Sequence, residues 1–379
     1  MKQSSGGNKA KKQVRPPKQA KLVLEDGSEY LGWHFGKSKS AAGEVVFNTG
    51  MSGLIQALTD PGYCGQIFVS SFPLSGNIGS PAAKNGSTPF DENGLPVYLE
   101  SDNIQVGGLI VSEVSMEASH YSSKLNLSSW LEKKNVPGIY GIDTRALTIR
   151  LRERGSMRGK ILVEGKNDVT LGSCILSNPF NVTTHKLKTY GSSQIKIALI
   201  DLGVKANIIR CLLARNVEVI RIPYNQNIDQ VEYDGLFLSN GPGNPKECEK
   251  TTEMVRLAMA TGKPIFGVGL GSLIIALAAG ADTCKLVNGH RGQNHPCTEV
   301  GTKRCYITTQ NHSYTIVKDS IPGGWESWFT NLNDGSIEGI RCKDKPFSAV
   351  QFYPEGCPGP SDTEFLFDRF ITQIMETKR

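Results

Sequence analysis

A chain of 379 residues with 39% hydrophobic and 21% charged content can build ordinary buried cores, and its length favours two domains, three at most. The formal charge of +6 suggests nucleic acid only until it is located: residues 1–21 carry seven Lys or Arg and no acid, and the rest is nearly neutral. Nucleic-acid binding is therefore not expected, and neither is a membrane span, because the longest apolar run, Leu273 to Ala281, is about half of the roughly 18 residues required.

Met1 to Ala20 is rich in Lys, Gln, Gly and Pro and lacks the apolar region of a secretory signal, so a solvated, disordered arm is expected. A mitochondrial presequence is the alternative, since acids are absent, but Arg15 stands alone against six Lys and no amphipathic stripe is evident. The expected compartment is cytoplasmic, with the mitochondrial matrix as alternative. From Lys21 to Thr184, short β-type runs (Lys21–Leu24, Glu44–Phe47, Gln66–Val69, Val106–Val111) alternate with helical stretches at Ser128–Lys134 and Thr144–Arg154. This predicts a β-rich α/β domain over 21–184.

Residues 185–194 are polar and carry Gly191-Ser192-Ser193, the composition of an exposed connection. Beyond it, over 195–379, strands alternate with helices: Lys196–Leu202, Val217–Ile222, Gly235–Leu238 and Pro264–Val268 as strands, Ala206–Ala214, Glu249–Ala260 and Ser272–Ala279 as helices. The pattern predicts a parallel sheet covered on both faces, with ligands bound beyond the carboxyl ends of its strands.

The nine cysteines form no C-x-x-C pair and are odd in number, which favours reduced thiols, most of them acting as small buried hydrophobes. His290 and His295 are five apart and do not share a helical face, and His312 reads as structural, so no metal is expected; nor is any cofactor.

The chemistry is concentrated at Gly267-Val268-Gly269-Leu270-Gly271, where a buried strand turns sharply into a helix. That geometry presents a nucleophile on a strained elbow, with the following backbone N–H, here that of Leu270, aimed at a developing oxyanion. The elbow residue is Gly269, which has no side chain to react. The alternative, a dinucleotide-binding turn, fails because Ser272 stands at the third glycine and no acid lies about 20 positions on, where Gly292 and Asn294 are found.

Motifs spread along the chain in one order give a specific resemblance. In the first domain they are Gly43-Glu44-Val45-Val46-Phe47-Asn48-Thr49, Leu58-Thr59-Asp60-Pro61 and Gly141-Ile142-Asp143-Thr144-Arg145-Ala146-Leu147. In the second they are Gly241-Pro242-Gly243-Asn244-Pro245, Arg291-Gly292-Gln293-Asn294, Gln310-Asn311-His312 and Pro354-Glu355 followed by Pro358-Gly359-Pro360. From Lys21 onward the chain resembles a carbamoyl phosphate synthetase small subunit, whose second domain is a flavodoxin-like class I glutamine amidotransferase. The resemblance implies an elbow cysteine, an activating histidine just before Pro-Glu, and an acid that orients it. Here those positions hold Gly269, Tyr353 and Glu355.

The family's substrate-holding pattern is altered too. His-Gln after the elbow is replaced by Ser272 and Leu273, a first-domain serine by Gly50, and a Gly-Phe pair by Ser313 and Tyr314, while Asn311 is kept. Gly241 and Leu270, the family's oxyanion donors, act through backbone and could persist beside Gly243. Cys357 lies near Tyr353 but has no histidine with it, so it is not expected to replace the nucleophile. The missing elbow cysteine, with Leu277–Ala281 and Pro322-Gly323-Gly324-Trp325, resembles the animal ammonia-dependent type. The expectation is a small-subunit-like protein unable to hydrolyse glutamine, partnering a large ATP-using synthetase chain, since no phosphate-binding loop is present in these residues. The alternative is a free-standing interaction protein of the same fold.

Overall fold

The computed structural model describes residues 18–82, 85–173 and 178–378; the amino-terminal arm and Cys174 lie outside them. The first domain is built on β1 (Gln19–Leu24), β2 (Glu29–Gly36), β3 (Ala41–Asn48), β4 (Ile67–Ser70), β5 (Gly108–Val111), β6 (Pro137–Tyr140) and β7 (Met157–Val163). These close into a barrel in the order β1-β2-β6-β5-β4-β3-β7, β1 pairing antiparallel with both β2 and β7. Strand β1 alternates, burying Ala20, Leu22 and Leu24, whereas β4 and β5 are buried throughout, as strands covered on both sides must be.

Leu22, Leu24, Val45, Ile67, Ile110 and Ile161 belong to one buried cluster of this domain. The opposite faces of β4 and β5 are covered with the help of α1 (Leu54–Thr59) and α2 (Leu127–Lys133), whose Trp130 and Leu131 join Phe68 and Leu109 in a second cluster. Helix α2 starts at Asn126, whose side chain accepts from the Ser129 N–H at 2.8 Å; α3 (Thr144–Arg154) starts at Asp143, which accepts from the Ala146 N–H at 2.9 Å.

The second domain holds β8 (Lys188–Tyr190), β9 (Lys196–Asp201), β10 (Glu218–Pro223), β11 (Gly235–Leu238), β12 (Ile265–Val268), β13 (Thr283–Glu299), β14 (Cys305–Ile316), β15 (Trp325–Asn331), β16 (Ile337–Cys342) and β17 (Phe347–Val350). They form one ten-stranded sheet in the order β14-β13-β15-β16-β17-β12-β11-β9-β10-β8. Its centre, β10-β9-β11-β12-β17, is parallel, so the chain runs from β9 outward to β10 and returns on the other side to β11. This is the flavodoxin-like order, and its switch point lies between β9 and β11, where Leu202 and Gly241 follow the strands.

Helices α4 (Ala206–Leu213), α5 (Glu249–Ala260), α6 (Leu270–Ala279) and α7 (Phe365–Thr377) complete this domain. Two buried clusters accompany them: α4 and α7 contribute to one with Phe237 and Phe266, and α5 and α6 to the other with Leu236 and Ile265.

The sheet is not wholly parallel as the sequence pattern suggested. Strands β13 to β16 extend it in antiparallel pairing, and β13 pairs with β14 with two register shifts. Polar residues on both faces of β13, and those shifts, hide the strand period from a reading of sequence alone. Likewise β8, inside the segment read as a connection, pairs antiparallel with β10 at the sheet edge.

Trp130 is fully buried against the barrel, so Trp130→Ala is expected to cost about 3–5 kcal/mol in urea unfolding, with the second-domain fluorescence transition least affected.

Candidate functional site

Between β12 and α6 the chain turns on Gly269 alone, at φ 57° and ψ −118°. This is a backbone conformation that costs an L-residue energy, and it is the geometry the strand–elbow–helix pattern predicted. Close packing fixes the next position: a Cβ on Gly271 would stand 2.5 Å from the Leu238 carbonyl oxygen, so only glycine lets α6 approach β11. The Gly269 N–H donates to Val350 O at 3.0 Å and the Gly271 N–H to Ser239 O at 3.1 Å, tying the elbow to its neighbours. Leu270 opens α6, where backbone N–H groups have no partner within the helix.

Of the two residues that the resemblance pairs with this elbow, Tyr353 stands directly beside it. A Cβ on Gly269 would lie 3.4 Å from the ring of Tyr353, so the phenol occupies the place beside the elbow. Tyr353 is buried, and its hydroxyl donates to the Asn311 carbonyl at 3.4 Å. Burial, reinforced by Asp60 and Glu355, raises its pKa well above the ordinary phenol value, so it stays neutral and is no base.

Glu355 does not orient an imidazole. Its Oε1 accepts from Lys205 Nζ at 2.8 Å, and Lys205 also donates to the Gly356 carbonyl at 2.8 Å. Both side chains are fully buried. The ammonium stands 4.5 Å from the centroid of the Tyr353 ring, a cation–π contact that links all three groups. Burial opposes the Lys205 charge, but Glu355, Glu100 and Asp60 outweigh it and raise its pKa, so it remains cationic. Burial raises the Glu355 carboxyl, and Lys205 offsets part of that shift.

Asp60 and Glu100 come from the first domain. Asp60 accepts from the Gly62 N–H at 2.8 Å and from Asn311 Nδ2 at 3.2 Å, and burial raises its pKa against the pull of Lys205. Glu100 accepts from the Asn207 N–H at 3.1 Å, and its carbonyl accepts from Ala206 at 2.9 Å, so the first domain caps α4. Lys205, the residue that precedes α4, offers no side-chain cap of its own.

Beside the elbow lies a cavity of about 180 Å³ lined by Gly241, Gly243, Leu270, Leu273, Asn311, Ser313 and Tyr314 together with Glu44, Lys285 and Arg291. Most of the positions expected to hold substrate therefore do share one wall. Their side chains are otherwise engaged: Asn311 is bonded to Asp60, and the Ser313 hydroxyl accepts from Arg291. Leu273 presents only hydrocarbon. Ser272 turns inward, donating to the Gly269 carbonyl at 2.7 Å and meeting Gln351 Oε1 at 2.9 Å. Glu44 accepts from Lys285 at 3.0 Å; burial opposes its charge, but Arg291, Ser156 and Lys285 hold its pKa below the usual carboxylate value.

Gly50 lies apart from these residues. It lines a separate, smaller pocket with Asn48, Ser70 and Gln293 rather than this cavity. A Cβ there would stand 2.7 Å from Gln293 Nε2, so Gln293, bonded to the Ser52 carbonyl at 2.7 Å, takes the space a longer residue would use. Burial, with Glu100, pushes the Cys357 thiol up, the opposite of activation.

Sequence reasoning missed Lys205, Glu100 and the role of Asp60. A lysine at a helix start ordinarily reads as exposed. The available signal was position: Lys205 follows β9 at the switch point, where ligands and charges converge.

Comparison with known proteins agrees with this architecture. Residues 22–161 match the carbamoyl-phosphate synthase small chain, CPSase domain, and residues 198–373 match glutamine amidotransferase class-I. The chain thus carries a carbamoyl-phosphate synthase small-chain CPSase domain over residues 22–161 and a class I glutamine amidotransferase domain over residues 198–373. It is 42% identical over 379 residues to multifunctional protein pyr1-3 of Dictyostelium discoideum, an alignment covering 93% of this chain and 17% of that protein. It is 43% identical over 362 residues to the human protein named carbamoyl-phosphate synthase (ammonia), mitochondrial, covering 95% of this chain and 24% of that one. With multifunctional protein URA2 of Saccharomyces cerevisiae the identity is 40% over 390 residues, covering 94% and 18%. The chain thus spans under a quarter of the length of each of these relatives.

Removing one member of a buried ion pair strands the other, so Lys205→Met is expected to destabilise by about 3–5 kcal/mol. Lys205→Met combined with Glu355→Leu should recover much of that loss; guanidinium unfolding of the four proteins of the cycle measures it.

Proposed function

We propose that this chain is a carbamoyl-phosphate synthase small-chain module that cannot hydrolyse glutamine and serves as structural or regulatory partner of a large, ammonia-using synthetase chain. The observation that carries the reading is the occupancy of the elbow: a glycine at its apex, and the neutral ring of Tyr353 3.4 Å from where a nucleophile's Cβ would stand. Amide hydrolysis needs a thiolate or alkoxide and a base to generate it, and neither is supplied at these positions. Backbone donors at Gly241 and Leu270 could polarise a carbonyl, yet an oxyanion hole without its nucleophile leaves only residual catalysis. The name of the human relative carries ammonia, which supports a synthetase partner that does not take its nitrogen from glutamine.

The purified chain, incubated with L-glutamine in a coupled glutamate assay, is expected to show turnover no greater than its Tyr353→Ala and Leu273→Ala variants; clear glutamate release would sink the reading. Restoration is the sharper measurement. Gly269→Cys alone places its Cβ 3.1 Å from that of Asn240 beside an unchanged tyrosine, and is expected to stay inactive. Gly269→Cys with Tyr353→His, Ser272→His and Leu273→Gln is expected to raise glutamate release at least tenfold above that single variant. Affinity capture from native tissue should bring down a large synthetase chain; recovery of the protein alone would favour the free-standing alternative.

A further inference from the structure

Strand pairing assembles a group of side chains that sequence spacing did not suggest. His290 on β13 is the direct cross-strand partner of His312 on β14, and Glu338 on β16 reaches both. One nitrogen of each histidine and one carboxylate oxygen of Glu338 lie within 4.8 Å of one another, and all three residues are buried. The expectation of no metal here considered His290 and His295 along one element, whereas the pair is made across two.

The hydrogen bonds fix which atoms face the centre. His312 Nδ1 lies 2.9 Å from the Tyr314 carbonyl oxygen, which only accepts, so Nδ1 carries a proton and Nε2 presents a lone pair. That lone pair faces Gln310 Oε1 at 3.3 Å and Glu338 Oε2 at 3.7 Å. Gln310 is held in this orientation because its Nε2 donates to Thr308 Oγ1 at 3.1 Å and to Cys297 Sγ at 3.3 Å. Glu338 Oε2 is buried and makes no hydrogen bond. His290 repeats the arrangement: its Nε2 meets Asp334 Oδ2 at 2.9 Å, and its Nδ1 lies 3.1 Å from Glu338 Oε1. Asn331 Nδ2 donates to Glu338 Oε1 at 2.9 Å and lies 3.4 Å from His290 Nδ1, so that side of the group has a donor. Glu338 Oε2 and the His312 lone pair face each other at 3.7 Å with no hydrogen bond between them, a cost that a cation at the centre removes.

We propose that His290 Nδ1, His312 Nε2 and the Glu338 carboxylate bind one divalent transition-metal ion of the zinc class, with Gln310 Oε1 beside the remaining position. Imidazole nitrogen with carboxylate oxygen is a donor set that zinc accepts. Asp334 behind His290 and the Tyr314 carbonyl behind His312 are the outer partners that orient metal-binding imidazoles. The ion would clamp β13, β14 and β16, and so hold the wall that carries Asn311, Ser313 and Tyr314. The competing arrangement is a proton in place of the metal: burial opposes the charge on His290, but Glu338 and Asp334 outweigh it and raise its pKa, so an imidazolium there could donate from both ring nitrogens to the two acids.

The chain, stripped with a chelator and titrated with zinc alone by calorimetry, is expected to take up one equivalent. Glu338→Gln and His312→Ala should weaken binding by at least about tenfold, while Cys284→Ser with Cys305→Ser, which removes two exposed thiols, should leave it unchanged. Absence of stoichiometric uptake, or uptake unchanged in Glu338→Gln and His312→Ala, overturns the site. Should those variants fail to fold, cobalt(II) bound to the unaltered chain decides: ligand-field bands of a nitrogen and oxygen set support the site, and thiolate-to-cobalt charge transfer overturns it.

Discussion

The interaction on which this molecule depends is the buried contact of Lys205 with Glu355. Placing an ammonium and a carboxylate where neither meets water is costly unless each finds its partners with good geometry. Lys205 does so with Glu355 Oε1 and the Gly356 carbonyl, under the face of Tyr353. Asp60 and Glu100, delivered from the first domain, add negative potential that keeps the lysine charged. The same two acids bond Asn311 and the first turn of α4, so the charge arrangement also joins the two domains.

The elbow beside that arrangement stands on backbone alone. The turn at Gly269 is set by backbone bonds to Val350 and by the close approach of α6 to Leu238, none of which needs a side chain at the apex. The space beside it is filled rather than left open, since a neutral phenol packs there over the lysine. Alone, the buried Glu355 carboxylate would be an uncompensated charge; Lys205 compensates it. In the cavity next door several polar groups engage one another: Ser313 with Arg291, Glu44 with Lys285, Asn311 with Asp60.

Legibility of these features followed the range of the interactions behind them. The parallel strands and their helices were readable because each rests on local periodicity, apolar runs such as Ile265–Val268 and amphipathic helices such as α4. The elbow was readable because three glycines in five residues have a local steric cause. The β13–β14 pair was not, because its residues are satisfied by one another across strands and by β15, a pairing invisible to any window along the chain.

By itself, the sequence determined the two-part α/β plan, the sharp turn at Gly269 and the presence of glycine at 269 and tyrosine at 353, since all of these reside in residue identity and short-range pattern. Only the tertiary structure decided that Tyr353 fills the space beside the elbow, that Glu355 belongs to Lys205, that Gly50 lies outside the cavity, and that His290, His312 and Glu338 converge. The physical reason is that burial and charge pairing depend on what the fold brings within a few ångströms, and the partners here are separated by up to 251 residues of chain.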